Sequence, residues 1–281
     1  MKKRIKSTFL LISLLAMIIS NVAFASEGMS TTDKREWLSN KGYDNEVIAN
    51  IADSDIDMIY GRITEQMPDD VVISSESKVW TATFQDEVNP ELRGAISTSQ
   101  LQLKGVVTNF GTSSGDIIGC EVLVLYDWLV TPESCGDDLI SLNWDSGYFT
   151  LSNFNSHATV KNISTGKTEY FNFITTPHTA QNGGIGWYAK LRNPDISSKI
   201  QSNPAGYAIT YFEPSRPFKA KDNIVKNFNV MYVHDKCPGI TSIGFSAGYG
   251  GASVGISVSP SNFADSLAKV LVYKSSDVTE F

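Results

Sequence analysis

The sequence predicts a mainly β protein, an antiparallel β-sandwich preceded by a short N-terminal helical segment. Three observations lead there. From about residue 70 onward apolar residues recur with a period of two, the runs are short and bounded by turn-forming residues, and helical spacing is confined to residues 31–67. Ten or more short strands with no long helix between them is the pattern of two packed antiparallel sheets. The expected organisation is a signal peptide over 1–25, a helical cap of short helices over 26–69 and the β-sandwich domain over 70–281.

The first element is the leader. Lys2, Lys3, Arg4 and Lys6 precede an uncharged apolar run from Thr8 to Ala25 that ends in Ala23-Phe24-Ala25. A basic start, an apolar middle and an A-x-A-like site make a secretory signal peptide, and the polar Ser26-Glu27-Gly28 does not read as a stop-transfer sequence. Cleavage is expected after about Ala25, giving a secreted, extracellular chain whose lysine-rich, compact leader is bacterial in style. No later apolar run approaches the roughly 20 residues of a membrane-spanning helix.

The helical segment follows. Asp33 stands three before Glu36 in the manner of a capping box, Trp37 and Leu38 supply an apolar patch, and Gly42 is placed to end the first helix in a left-handed conformation. Asp44 or Asn45 can cap a second piece bearing Val47, Ile48 and Ile51. Ser54 can cap a third, in which Ile56, Ile59, Tyr60 and Ile63 fall at i, i+3, i+4 and i+7, and Pro68 closes the region. Helices this short are marginal alone, so their apolar stripes must pack on something. The expected arrangement is a helical cap over a sheet edge.

The strands come next. Trp80, Ala82 and Phe84 alternate with Val79, Thr81 and Thr83; Cys120, Val122, Val124, Tyr126 and Trp128 alternate with Glu121, Leu123, Leu125 and Asp127. Further runs cover 139–144, 158–163, 168–174, 185–191, 207–212, 226–234, 240–258 and 267–273, separated by turn material such as Asn182-Gly183-Gly184 and Glu213-Pro214-Ser215. Leu101 and Leu103 share a face that Val106 does not, so Gly105 is expected to mark a bulge. No internal repeat of fixed period is present.

Charge and cysteine content narrow the function classes. The whole chain carries a formal charge of −7, and losing the four basic residues of the leader takes the mature chain to −11. That balance disfavours nucleic acid and anionic lipid as simple electrostatic partners. Three cysteines, Cys120, Cys135 and Cys237, allow one disulfide and one thiol in an oxidising compartment. The run from Cys120 to Trp128 spans more than about 20 Å as a strand, far beyond a bridgeable Cα separation. Cys135 with Cys237 is therefore the expected pair, and Cys120 a small buried strand residue.

Several motifs suggest chemistry and fail in context. Gly244-Phe245-Ser246-Ala247-Gly248 fits the G-x-S-x-G nucleophile elbow, but no histidine follows it and the residues after it are poor helix formers. His157, His178 and His234 are scattered singly, without the i, i+3 or i+4 partners of a metal site, and His234 continues the alternation of Phe228, Val230 and Tyr232. Asn143, Asp145 and Gly147 could open a calcium loop, but no bidentate carboxylate follows, so a polar β-turn is expected. Asp127, Asp137, Asp138 and Asp145 cluster in sequence as strand-end and turn aspartates do, which leaves an extracellular hydrolase as a third reading. Trp80, Trp128, Trp144 and Trp187 lie in apolar runs and are expected in the core. No catalytic residue, metal ligand or cofactor is assigned.

The most unusual stretch is Cys237 to Ala264, 28 residues without a charge and rich in Gly, Ser and Ala. Ile243, Phe245 and Tyr249 share one face with Ala247; past Gly250-Gly251 the apolar set becomes Val254, Ile256 and Val258. This predicts a hairpin with a glycine turn. Its default place is a central hairpin of the sandwich. Apolar on one side and small-polar on the other is also what a membrane β-barrel strand requires, and the pattern is similar to hairpins of secreted pore-forming toxins. The expected function is a secreted, non-enzymatic β-sandwich that binds an extracellular glycan, protein or membrane surface. The alternative is a membrane-acting, pore-forming or bacteriocin-like toxin that uses residues 240–259.

Overall fold

The computed structural model describes residues 28–80, 101–129, 137–161, 168–172, 179–181, 183–190, 204–235, 243–247, 254–258 and 264–278. The leader, Cys135, Cys237, His178 and Tyr249 lie outside them. Three helices come first: α1 (Thr31–Asn40), α2 (Asn45–Asn50) and α3 (Asp53–Gly61), the last running into one π-helical turn, Arg62–Gln66. The cap of α1 sits one turn earlier than the sequence suggests. Ser30 accepts from the Asp33 amide at 3.2 Å and donates to the Asp33 carboxylate at 2.7 Å, so Asp33 is the third residue of the helix rather than its cap. Gly42 has φ +101° as expected, and a Cβ there would meet the Ile73 carbonyl at 2.7 Å. Asp44 caps α2 by accepting from the Val47 amide at 3.0 Å. Ser54, by contrast, caps nothing: α3 begins from Ala52, whose carbonyl accepts the Asp55 and Ile56 amides.

Thirteen strands follow among the described residues. A six-stranded sheet has the order β1 (Val71–Trp80), β2 (Leu101–Thr112), β3 (Ile117–Trp128), β9 (Ala205–Pro214), β5 (Phe149–Lys161), β6 (Thr168–Asn172). A five-stranded sheet has the order β13 (Ala264–Lys274), β10 (Val225–Asp235), β4 (Asp137–Asn143), β8 (Gly184–Lys190), β7 (Thr179–Gln181). Every pairing between these strands is antiparallel. The protein is thus a mainly β sandwich with helices near the N-terminus, as predicted.

The two parities of β3 show how the layers are filled. Cys120, Val122, Val124, Tyr126 and Trp128 enter the core between the sheets, with Trp144, Phe149, Trp187, Phe212, Phe228 and Tyr273. Trp128, Trp144 and Trp187 are core residues as expected, and Trp80 packs against that core while partly exposed. The opposite parity, Leu123 with Val106, Phe110, Ile209 and Tyr211, packs against Leu38, Val47, Ile51, Ile56, Ile59 and Ile63 of the helices. The helices therefore cover a face of the six-stranded sheet, not its edge. The reason is that β2, β3 and β9 are apolar at both parities, so each face must be removed from water.

This double cover also corrects the bulge at Gly105. Gly105 pairs with Val124 in regular register, and the β2–β3 irregularity lies at Phe110/Gly111. Val106 needs no change of phase because it faces the helices. Gly105 is glycine for space: a Cβ there would stand 2.7 Å from both Leu271 and Trp80 side-chain atoms.

Candidate functional site

The uncharged stretch forms a hairpin. Its arms are β11 (Ile243–Ala247) and β12 (Val254–Val258), antiparallel, with Ile243 across from Val258, Phe245 from Ile256 and Ala247 from Val254. Directly opposed residues of an antiparallel pair lie on the same face. This register therefore places Ile243, Phe245, Ala247, Val254, Ile256 and Val258 on one face of the ribbon and Gly244, Ser246, Gly255 and Ser257 on the other. The ribbon is a two-stranded sheet of its own, hydrogen-bonded to neither larger sheet among the described residues. That corrects its expected place as a central hairpin of the sandwich. The physical reason is that β10 already has β4 and β13 as its two neighbours, and β3 has β2 and β9. Ser246 lies in β11 and pairs with Gly255 of β12, and Gly248 and the residues that would form the turn and helix of an elbow lie outside the described residues.

The chemistry-bearing side chains of the body collect where the helices meet the six-stranded sheet. Asp55 on α3 is fully buried. Its Oδ2 lies 2.8 Å from His157 Nδ1 and accepts from the Tyr207 hydroxyl at 2.6 Å, while its Oδ1 accepts from the Asn155 amide at 2.5 Å. The Tyr207 hydroxyl in turn accepts from the Ala52 amide at 2.8 Å, so one phenol caps the start of α3 from the sheet side. Further along, Arg62 donates to Glu121 at 3.0 Å with side chains 6% and 2% exposed, and its guanidinium lies 4.3 Å from the Tyr211 ring centroid. Burial pushes the Glu121 carboxyl up to about 7, against the lowering effect of Arg62. Lys104 on β2 makes a third link, to Asp44 at 3.3 Å and Glu46 at 2.6 Å.

These groups face one another beneath the helices. The arrangement ties two layers together through buried polar groups, since Asp55, His157 and Tyr207 are each at most 4% exposed. Sequence reasoning missed Asp55, Arg62 and Glu121. The available signal was a charged residue inside an apolar alternation, Glu121 between Cys120 and Val122, with a candidate partner of opposite sign on the helical segment.

Other predicted features take structural roles. Asp145 accepts from the Gly147 amide at 3.0 Å, the polar β-turn expected of Asn143-x-Asp145-x-Gly147, and pairs with Lys226 at 2.8 Å. Lys226 and Arg216 lie 3.6 and 4.2 Å from the Tyr148 ring centroid, making a cationic rim around one aromatic. Asp138 is buried and accepts from the Tyr232 hydroxyl, which itself accepts from Trp128 Nε1 at 3.0 Å, joining the two sheets. Cys120 is fully buried in β3 with a free thiol that burial pushes up. His234 occupies β10 across from Asp265. An open groove of about 400 Å³ runs along the end of the helical segment, bordered by Arg62, Gln66, Tyr211, Glu213 and Arg216. Among the described residues no group of three or more metal-ligating side chains occurs.

No protein-family model matches the sequence, and no curated protein matches it. Among solved structures the chain is similar to a pore forming protein, at 8% identity and a TM-score of 0.36, over 74% of this chain and 94% of that one. It is also similar to the C-terminal domain of the Streptococcus agalactiae AgI/II polypeptide BspA, at 9% identity and a TM-score of 0.30, over 61% of this chain and 57% of that one. A third is the KRT10-binding region domain of the pneumococcal serine rich repeat protein PsrP, at 13% identity and a TM-score of 0.25, over 57% of this chain and 88% of that one. The chain thus spans little more than half the length of the BspA domain. Likenesses at these TM-scores carry no argument about function.

Proposed function

We propose that this is a secreted, non-enzymatic bacterial β-sandwich protein that engages an extracellular surface or partner, with the ribbon 243–258 as the engaging element. The observation that carries the reading is the register of β11 on β12, which places six apolar residues on one face of a ribbon paired with neither larger sheet among the described residues. A surface of that kind lowers its free energy by leaving water, at roughly 25 cal/mol per Å². The signal peptide over 1–25 supports an extracellular setting, and the buried acid–base groups of the body are committed to joining layers. A glycan, a protein or a lipid surface are the partner classes.

The second reading, a membrane-acting toxin, is favoured by the same register, because one apolar and one small-polar face suits a strand pair between lipid and water. The experiment is binding of the purified mature chain to neutral and anionic lipid vesicles, to glycans and to bacterial cell wall, with Ile256→Asp as the control. Binding to any of these that the substitution abolishes supports the ribbon as the contact element. Dye release from the vesicles, lost in Ile256→Asp, supports the membrane-acting reading. Binding that survives the substitution undiminished overturns the assignment to the ribbon.

A further inference from the structure

We propose that the helical cap is held on the six-stranded sheet by a proton-linked clasp: the buried cluster of Asp55, Arg62, Glu121 and His157 binds one proton when the cap docks, so that docking tightens in mild acid and loosens as pH rises. The inference begins from charge counting at a buried interface. Two carboxylates, Asp55 and Glu121, share it with one permanent cation, Arg62, and one imidazole, His157, at 0%, 2%, 6% and 4% exposure. The Asp55–His157 and Arg62–Glu121 contacts are 2.8 and 3.0 Å, and the Asp55 charge acts on Glu121. With both acids ionised and the imidazole neutral the cluster carries one uncompensated negative charge, which a buried site disfavours strongly. One added proton on Glu121 makes it neutral.

The groups facing the cluster from every packed element leave that count unchanged. Tyr43, in the loop after α1, is buried with its hydroxyl unpartnered among the described residues. Tyr207 and Tyr211 come from β9, and Asn155 from β5. All three phenols are neutral, and burial pushes those of Tyr43 and Tyr211 further up. Cys120 beside Glu121 is likewise neutral, its thiol raised by burial. Lys104 spends its charge on Asp44 and Glu46.

The sign follows from linkage. Undocking returns Glu121 to water and to its ordinary value of 4.5, whereas docking raises it to about 7 by burial, the Asp55 charge adding to the rise. A carboxyl raised in the docked state contributes stability that is fully present below about 4.5 and lost as pH climbs through about 7. Docking should therefore weaken by about tenfold per pH unit across that window and level off above it. Loosening would open the apolar face that the helices cover, formed by Val106, Phe110, Leu123 and Ile209.

The test is hydrogen exchange of the complete mature chain, followed by mass spectrometry from pH 5 to 8 and expressed as protection factors so that intrinsic exchange cancels. In peptides from 31–66 protection is expected to fall roughly fortyfold between pH 5 and 7 and then flatten. Glu121→Gln, which keeps shape and hydrogen bonding but cannot ionise, is expected to remove the fall. If that variant does not fold, Asp55→Asn is expected to shrink the fall without removing it, because it takes away the charge that adds to the rise of Glu121 while the burial remains. Cap protection independent of pH in the native chain, or a fall that persists unchanged in either folded variant, overturns the clasp.

Discussion

Tyr207 is the residue through which the sheet addresses the helices. Its hydroxyl donates to Asp55 and accepts from the Ala52 amide, which otherwise starts a helix with no side-chain cap. Tyr207→Phe leaves a buried carboxylate short of a donor and an amide short of an acceptor. The expected cost is about 1–3 kcal/mol by urea denaturation, and a loss below about 0.5 kcal/mol would mean that the phenol only fills space. Residue-level legibility differed sharply within this cluster. Gly42 announced its left-handed turn because only its own backbone needed it, and Asp44 its cap because the acceptor and donor are three residues apart. Glu121 could not announce Arg62, because the two lie 59 residues apart and meet only across a layer.

The helices and the ribbon behave as opposites at the scale of elements. α1 to α3 are short and pack their apolar stripes against β2, β3 and β9, so their stability is borrowed from the sheet. Removing residues 26–68 exposes that face to water. The expected result is a thermal midpoint lower by about 10 °C, or aggregation, and an unchanged midpoint would make the helices an independent module. The ribbon is hydrogen-bonded to neither larger sheet among the described residues. Ile256→Asp is expected to leave the thermal midpoint within about 2 °C of the native value while removing surface binding, and a large drop would show instead that the ribbon is packed into the body. The hairpin itself was readable from period-two spacing on either side of a glycine pair. Its separation from the sheets was not, since a strand's sequence records which faces are apolar and not which strand sits beside it.

At the scale of the whole molecule the protein is three layers: helices, a six-stranded sheet and a five-stranded sheet. The middle layer explains why Cys120 is sealed. It lies on the sandwich side of β3, and its thiol is expected to stay reduced and unreactive until the chain unfolds. Non-reducing peptide mapping should therefore join Cys135 to Cys237, and a bridge containing Cys120 would refute that pairing. The sequence alone determined the class of the fold, the run of most strands, the helical segment and the burial of Trp128, Trp144 and Trp187. All of these follow from local periodicity and turn chemistry, which act between near neighbours. Tertiary structure alone decided that the helices lie on a face rather than an edge, that Asp55, Arg62, Glu121 and His157 meet, and that β11 and β12 pair only with each other among the described residues. Each of those depends on which distant segments share a layer, and a chain's local pattern leaves that choice open until both faces of every strand have to be covered at once.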